Sequence, residues 1–301
     1  MQFKGSFVAL VTPFDARGRI DRKALEQLVE WHIAEGTDGI VCCGTTGEGL
    51  SLTDSEKKRV ADICIKTAAG RIPIIVGTGL PGTKPTILLT EQMLKLGASA
   101  CLVVTPYYMK PNAEGCFLHF QEVAKVGIPL IAYYNPGRAV MRLSVEALAE
   151  IATIPGIGAI KDSSGDPEFV RKLCALSHKP ILSGDDDLTF ETLRAGGMGA
   201  ISVIGNLFPR SWKRMISLAL EGKWNESKKI SDRFLAACKA NFLETNPQPV
   251  KFALEWLGRL SGTLRLPLVP VTEKTENEMK QIFVSLFLPQ FLKRNIRQSN
   301  T

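Results

Sequence analysis

The sequence predicts an α/β fold: a closed (β/α)8 TIM barrel with a C-terminal helical appendage. Three observations carry this expectation. Eight short apolar runs alternate with amphipathic segments over the first two thirds of the chain. Glycines and prolines stand where helices hand over to strands. Beyond about Asn206 the apolar runs stop and only helical patterns remain.

The apolar runs cover residues 7–11, 39–43, 74–76, 101–104, 130–133, 158–160, 181–182 and 200–203. Runs this apolar suit parallel strands covered on both faces. Eight β-then-α units favour closure over an open sheet. The intervening segments 23–35, 55–69, 86–96, 113–126, 145–154, 168–176 and 188–195 carry helical periodicity. Gly36, Gly97, Gly127 and Gly196 mark helix stops. Pro73, Pro129 and Pro180 stand at strand starts, where no ladder donor is needed. Of the later helical segments, 209–220 can complete the barrel, and 224–240, 249–260 and 273–287 form the appendage. The expected division is a catalytic barrel over residues 1–223 and a helical region over residues 224–301.

With 301 residues, 45% of them hydrophobic, the chain can bury a large core. The net charge of +7 is dispersed and lacks interleaved aromatics, which argues against nucleic-acid binding. Its densest basic stretch, Lys293-Arg294-Asn295-Ile296-Arg297, reads as a solvated tail. No apolar run approaches the roughly 18 residues that span a bilayer. The N-terminal residues show no apolar h-region or small-residue cleavage site, so a cytoplasmic protein is expected. Seven dispersed cysteines without a C-x-x-C pair read as small buried hydrophobes. His32, His119 and His178 lack metal-ligand spacing and are expected to be structural or surface residues, so no metal is expected.

Barrel enzymes draw catalytic groups from the C-terminal ends of their strands. Here those ends supply hydroxyls, glycines, phenols and one primary amine, Lys161. A lysine there can snorkel to water. Equally, partial desolvation can leave its amine neutral and able to attack a ketone. Position alone does not separate these readings. Gly44-Thr45-Thr46-Gly47-Glu48 offers two hydroxyls and turn amides to a small carboxylate, or is simply a strand-to-helix turn. Gly77-Thr78-Gly79-Leu80-Pro81-Gly82 fits G-x-G-x-x-G, but the next strand end lacks an acidic residue for a ribose and prolines interrupt the helix start, which excludes a dinucleotide site. All four tyrosines, Tyr107-Tyr108 and Tyr133-Tyr134, fall at the ends of strands four and five, which favours a phenol proton relay over core packing. Arg138, after a turn-like loop, can clamp a carboxylate near them.

At these residues the chain resembles the dihydrodipicolinate synthase / N-acetylneuraminate lyase family of Schiff-base barrel enzymes. The resemblance covers nearly the whole chain and rests on Gly44 to Glu48, Val104 to Tyr108, Tyr133 to Arg138 and Lys161. Asn246-Pro247-Gln248-Pro249-Val250-Lys251, Leu264-Arg265-Leu266-Pro267 and Arg138 resemble its synthase branch. The resemblance implies condensation of pyruvate with L-aspartate 4-semialdehyde, on the route to diaminopimelate and lysine. Lys161 would form the pyruvate imine, with no other cofactor. Tyr133 would shuttle protons, and Thr45 would link it to Tyr108 reaching in from a neighbouring subunit. Thr46 and nearby amides would hold the pyruvate carboxylate, and Arg138 the semialdehyde carboxylate. Gly184 and Ile201 match positions whose backbone lines the pocket. A homotetramer built as a dimer of dimers is implied.

Some positions depart from the family pattern. Tyr134 and Met109 stand where asparagine is common, and Lys161-Asp162-Ser163-Ser164-Gly165 is also similar to sibling aldolases of sugar acids and 4-hydroxy-2-oxoglutarate. Another pyruvate-dependent aldolase is therefore the first alternative, and a non-catalytic metabolite-binding barrel the second. In feedback-sensitive members, lysine binds at the tight-dimer interface. The matching positions here are Gly49, Leu50, Asp54, Lys57, Pro81, Pro85 and Tyr107, which implies weak inhibition by lysine or none.

Overall fold

The computed structural model describes residues 2–298, with side chains through residue 286. The side chains of the basic stretch 293–297 lie outside the described ones. Strands β1 (Gly5–Ala9), β2 (Gly39–Cys42), β3 (Ile74–Gly77), β4 (Ala100–Val104), β5 (Leu130–Tyr134), β6 (Ile157–Asp162), β7 (Ile181–Ser183) and β8 (Gly199–Ser202) close into a barrel in sequence order. Every neighbouring pair is parallel, and β1 closes on β8 with Phe7 opposite Ile201.

Helices α1 (Arg22–Ala34), α2 (Asp54–Ala68), α3 (Thr83–Leu96) and α4 (Ala113–Ala124) follow the first four strands. A one-turn helix α5 (Pro136–Ala139) and α6 (Val145–Thr153) follow β5. Helices α7 (Pro167–Leu176), α8 (Thr189–Arg194) and α9 (Pro209–Leu220) follow the last three strands. Helices α10 (Trp224–Ala240), α11 (Gln248–Trp256) and α12 (Glu273–Gln298) come after the barrel. None of the helices described is long and apolar enough to cross a membrane.

The eight strands match the expected order, with ends shifted by a residue or two, and the C-terminal helices follow in the expected order, although α11 stops at Trp256 rather than at residue 260 and α12 runs on to Gln298 rather than stopping at residue 287. Three differences have physical reasons. Strand β6 runs past Lys161 to Asp162, because Asp162 still pairs in register with Tyr134 of β5. Helix α3 starts at Thr83 rather than at residue 86. Pro85 falls in its first turn, where an amide donor has no intrahelical acceptor to lose. The loop after Tyr134 contains α5, capped by Asn135 and opened by Pro136.

Side-chain alternation sorts the core into two layers. Phe3, Phe7, Ala9, Val41, Ile75, Leu102, Ile131, Tyr133, Ala159, Leu182 and Ile201 fill the barrel interior. A larger layer packs between the sheet and the helices and includes Tyr134. A Cβ on Gly158 would overlap the Phe3 ring, so glycine is needed there for the aromatic plug at the barrel floor. The buried His32 and His119 bond Thr37 and Thr83, and the exposed His178 faces solvent, as expected of structural and surface residues. Of the seven cysteines, all but Cys174 are buried, and all are free.

Candidate active site

The C-terminal rim of the barrel collects the chemistry. Lys161 on β6 stands in register with Tyr133 on β5, so both side chains point inward. The Lys161 Nζ lies 4.1 Å from the centre of the Tyr133 ring, and the lysine is only 6% exposed. Gly184 follows β7, and a Cβ there would overlap both the Lys161 side chain and the Ser163 hydroxyl. Glycine at this position therefore lets the backbone close against the amine. Ile201 of β8 is fully buried in the barrel interior beneath the mouth.

A cavity of about 390 Å³ opens beside Tyr133, lined by Gly44, Thr45, Tyr107, Asn135 and Arg138 among others. The loop after β2 presents Thr45 and Thr46. It is folded by hydrogen bonds in which the Glu48 and Gly49 amides donate to the Thr45 and Gly44 carbonyls, and the Thr12 hydroxyl donates to the Gly47 carbonyl. Thr46 is buried, and its hydroxyl accepts from Asn246 Nδ2 at 3.0 Å. The Asn246 carbonyl in turn accepts from the Arg138 guanidinium at 3.3 Å. Asn246 thus ties both expected carboxylate-binding residues to the segment before α11. The sequence motif around Asn246 is the signal that points to it.

The phenol network differs from the expectation. Asn135 Nδ2 donates to the Tyr133 hydroxyl oxygen at 2.7 Å. Among the described residues, Thr45 makes no hydrogen bond to Tyr133. Tyr108 is 87% exposed with a left-handed backbone (φ 67°), and within one chain it stands apart from Tyr133. Tyr134 takes no part in the site. It faces outward, stacks on Phe169 at 5.4 Å, and exchanges hydrogen bonds with the Leu143 backbone. Its neighbour Tyr133 faces the barrel interior because alternate residues of a strand face opposite sides. Of the β5 pair, only Tyr133 therefore faces the barrel interior.

Behind Lys161 lie carboxyls that the strand ends alone did not reveal. Asp186 is buried and accepts from the amides of Val203 and Ile204, at 3.0 and 2.6 Å, which fixes the turn after β8. Burial pushes it up to about 7, partly offset by those amides and by the Lys161 charge. Burial likewise lifts Asp162 to about 6, against hydrogen bonds from Ser164. The glycines of the Gly77-Thr78-Gly79 turn serve packing: Cβ atoms would strike the Cys43–Gly44 and Val104 backbones. Among the described residues, no group of three or more His, Cys, Asp or Glu side chains is placed to hold a metal ion.

Comparisons with known proteins agree with this arrangement. A family model, the dihydrodipicolinate synthetase family, matches residues 2–285. A 4-hydroxy-tetrahydrodipicolinate synthase of Thermodesulfovibrio yellowstonii is 43% identical over 286 residues, spanning 94% of this chain and 98% of its own. The crystal structure of dihydrodipicolinate synthase from Aquifex aeolicus superposes with a TM-score of 0.92 at 39% identity, over 95% of this chain and 99% of that one. The chloride-inhibited dihydrodipicolinate synthase of Acinetobacter baumannii, solved in complex with pyruvate, gives the same TM-score of 0.92 at 39% identity, covering 93% of this chain and 98% of its own. With the barrel, the inward lysine–tyrosine pair and these likenesses together, the chain belongs to the dihydrodipicolinate synthetase family.

Proposed function

We propose that this chain condenses pyruvate with L-aspartate 4-semialdehyde to 4-hydroxy-tetrahydrodipicolinate, through an imine between pyruvate and Lys161. The observation that carries the reading is the buried amine held over the Tyr133 ring at the barrel mouth. The Lys161 amine attacks C2 of pyruvate and water leaves. Loss of a methyl proton then gives an enamine, whose carbon attacks the aldehyde. The amino group of the bound semialdehyde displaces Lys161 at C2 and closes the ring. The imine nitrogen takes up the electron pair when the methyl proton leaves and returns it when the enamine carbon attacks, so the scheme calls on no separate cofactor.

Every step moves a proton, and Tyr133 is the phenol nearest the amine. Thr46 and the amides of its loop hold the pyruvate carboxylate, with the carbonyl of Ile201 and the backbone at Gly184 beside the imine. Arg138 receives the semialdehyde carboxylate by a charge-assisted contact. Tyr108 completes the relay through Thr45 from a neighbouring subunit, in a tetramer built of two tight dimers. The exposure of Tyr108, Met109, Leu50 and Val140 around one rim supports such a contact. The barrel over residues 1–223 carries the chemistry, the helical region over 224–301 braces it, and the protein works in the cytoplasm.

The test is reduction with borohydride in the presence of pyruvate, followed by digestion and mass spectrometry. The label belongs on Lys161, and Lys161→Arg abolishes both label and turnover, since a guanidinium forms no such imine. Label on another lysine sinks the reading. A coupled assay with the next reductase separates the semialdehyde from sugar-acid and hydroxyoxoglutarate substrates.

A further inference from the structure

We infer that Asn135 is a positioning residue that sets the direction in which Tyr133 passes its proton and couples that phenol to Arg138. The inference rests on the proposed role of Tyr133 as the proton carrier. Its starting point is an orientation fixed by the backbone. Asn135 Oδ1 accepts from the Arg138 amide at 3.0 Å, as the cap of α5. A backbone N–H can only donate, so the oxygen of the Asn135 amide must face it. The amide nitrogen therefore faces Tyr133, 2.7 Å from the phenol oxygen. Since Nδ2 can only donate, Tyr133 is the acceptor in this bond.

Two consequences follow. The Tyr133 proton is turned away from Asn135, leaving it to be given up elsewhere. The same Asn135 bond favours the oxyanion that remains when Tyr133 gives up its proton, because hydrogen bonds to a charged oxygen are roughly twice as strong as neutral ones. One side chain also ties Tyr133 to the turn that carries Arg138. The loop between them is four residues long and closes on itself through the Ala139 and Val140 amides, which donate to the Asn135 and Pro136 carbonyls. A shift of the carboxylate clamp is therefore felt at the phenol.

Asn135→Asp tests this without removing the cap. Its carboxylate still accepts from the Arg138 amide, but it cannot donate to Tyr133 and instead draws the phenol proton toward itself. The expected result is a fall in kcat of about tenfold or more, up to the roughly 10²- to 10⁴-fold that acid–base catalysis typically contributes, with the alkaline limb of the kcat–pH profile moved upward. Melting temperature and KM for pyruvate stay near wild type. Asn135→Ala loses the cap as well and raises KM for the semialdehyde. Wild-type kcat and pH profile in Asn135→Asp overturn the inference, as does a loss of kcat accompanied only by a lowered melting temperature. Tyr133→Phe separates the layers. If it is nearly inactive while Asn135→Asp resembles wild type, only the role of Asn135 fails. If Tyr133→Phe retains kcat, the relay fails and the inference with it. Borohydride trapping on Lys161 reports independently on imine formation.

Discussion

Lys251 and Glu48 form an ion pair sealed from solvent, with Nζ and Oε1 2.5 Å apart and side chains at 0% and 1% exposure. Lys251 sits on α11, while Glu48 lies in the loop that carries Thr45 and Thr46. The Lys251 ammonium also donates to the Thr263 carbonyl at 2.8 Å and lies over the Phe14 ring. Burial lowers its pKa to about 8, against the opposing pull of Glu48. The second Glu48 oxygen accepts from the Arg265 amide at 3.0 Å. Helix α11 and the segment that follows it are thereby clamped to the loop that carries Thr45 and Thr46.

Breaking such a pair leaves a buried charge without its partner, which typically costs about 3–5 kcal/mol. Lys251→Met is expected to lose that order of stability in urea unfolding. Lys251→Met combined with Glu48→Gln is expected to recover part of it, since the orphaned carboxylate is gone. A double variant no more stable than the single one contradicts the ion-pair account.

Arg138→Ala is expected to raise KM for the semialdehyde while borohydride trapping of pyruvate stays nearly intact. A charge-assisted contact of this kind is worth about 1.5–3 kcal/mol, or roughly a 10- to 100-fold loss in kcat/KM for the second substrate. If trapping falls as steeply as turnover, Arg138 acts on the first half-reaction instead.

Added L-lysine is expected to inhibit weakly or not at all at near-saturating pyruvate. The cavity that holds Tyr133 also extends to Gly49, Leu50, Lys57 and Tyr107, and Lys57 is only 5% exposed there. Its nearest carboxylate, Asp54, is 3.7 Å away and largely in solvent. A lysine ligand would bring a second ammonium beside a buried one, with little to offset its desolvation. Half-inhibition in the sub-millimolar range would show that other residues receive it.

His119 makes a pH-dependent contribution to stability with a definite sign. Burial lowers its pKa from 6.5 to about 4, and its buried Nε2 has no partner to take up a charge. Between those values the unfolded chain binds a proton that the folded chain refuses, so the contribution falls as pH drops, by at most about 1.4 kcal/mol per pH unit. Asp162 and Asp186, with raised values, act with opposite sign, but they cancel when wild type is compared with His119→Gln. The stability advantage of wild type over this variant is expected to shrink between about pH 6.5 and pH 4.5 in denaturant titrations. Parallel pH curves would refute the assignment.

Most of the barrel is legible in the sequence, because strands buried on both faces are apolar throughout and glycine stops are local signals. Lys161 and Tyr133 are legible for a related reason: each follows such a run at the end where barrels place chemistry. Asn135 escapes notice because Asn-Pro-Gly reads as an ordinary turn, and a bond between residues two apart depends on the path the chain takes after the strand. The pairing of Lys251 with Glu48 escapes it because charged residues are ordinarily solvated, and the burial of these two, about 200 residues apart in the chain, is a tertiary fact. Tyr134 attracts attention by its composition, and the period of the strand then removes it from the site.

The bond from Asn246 to Thr46 also sets an order in time. During synthesis, the ribosome delivers the amine of Lys161 and all eight strands before it delivers Asn246, Lys251 or Arg265. A nascent chain halted between these points contains Lys161 while Thr46 and Arg138 lack the partner that holds them together. The tie between Thr46 and Arg138 therefore arrives with the last quarter of the polypeptide, well after Lys161 itself has emerged.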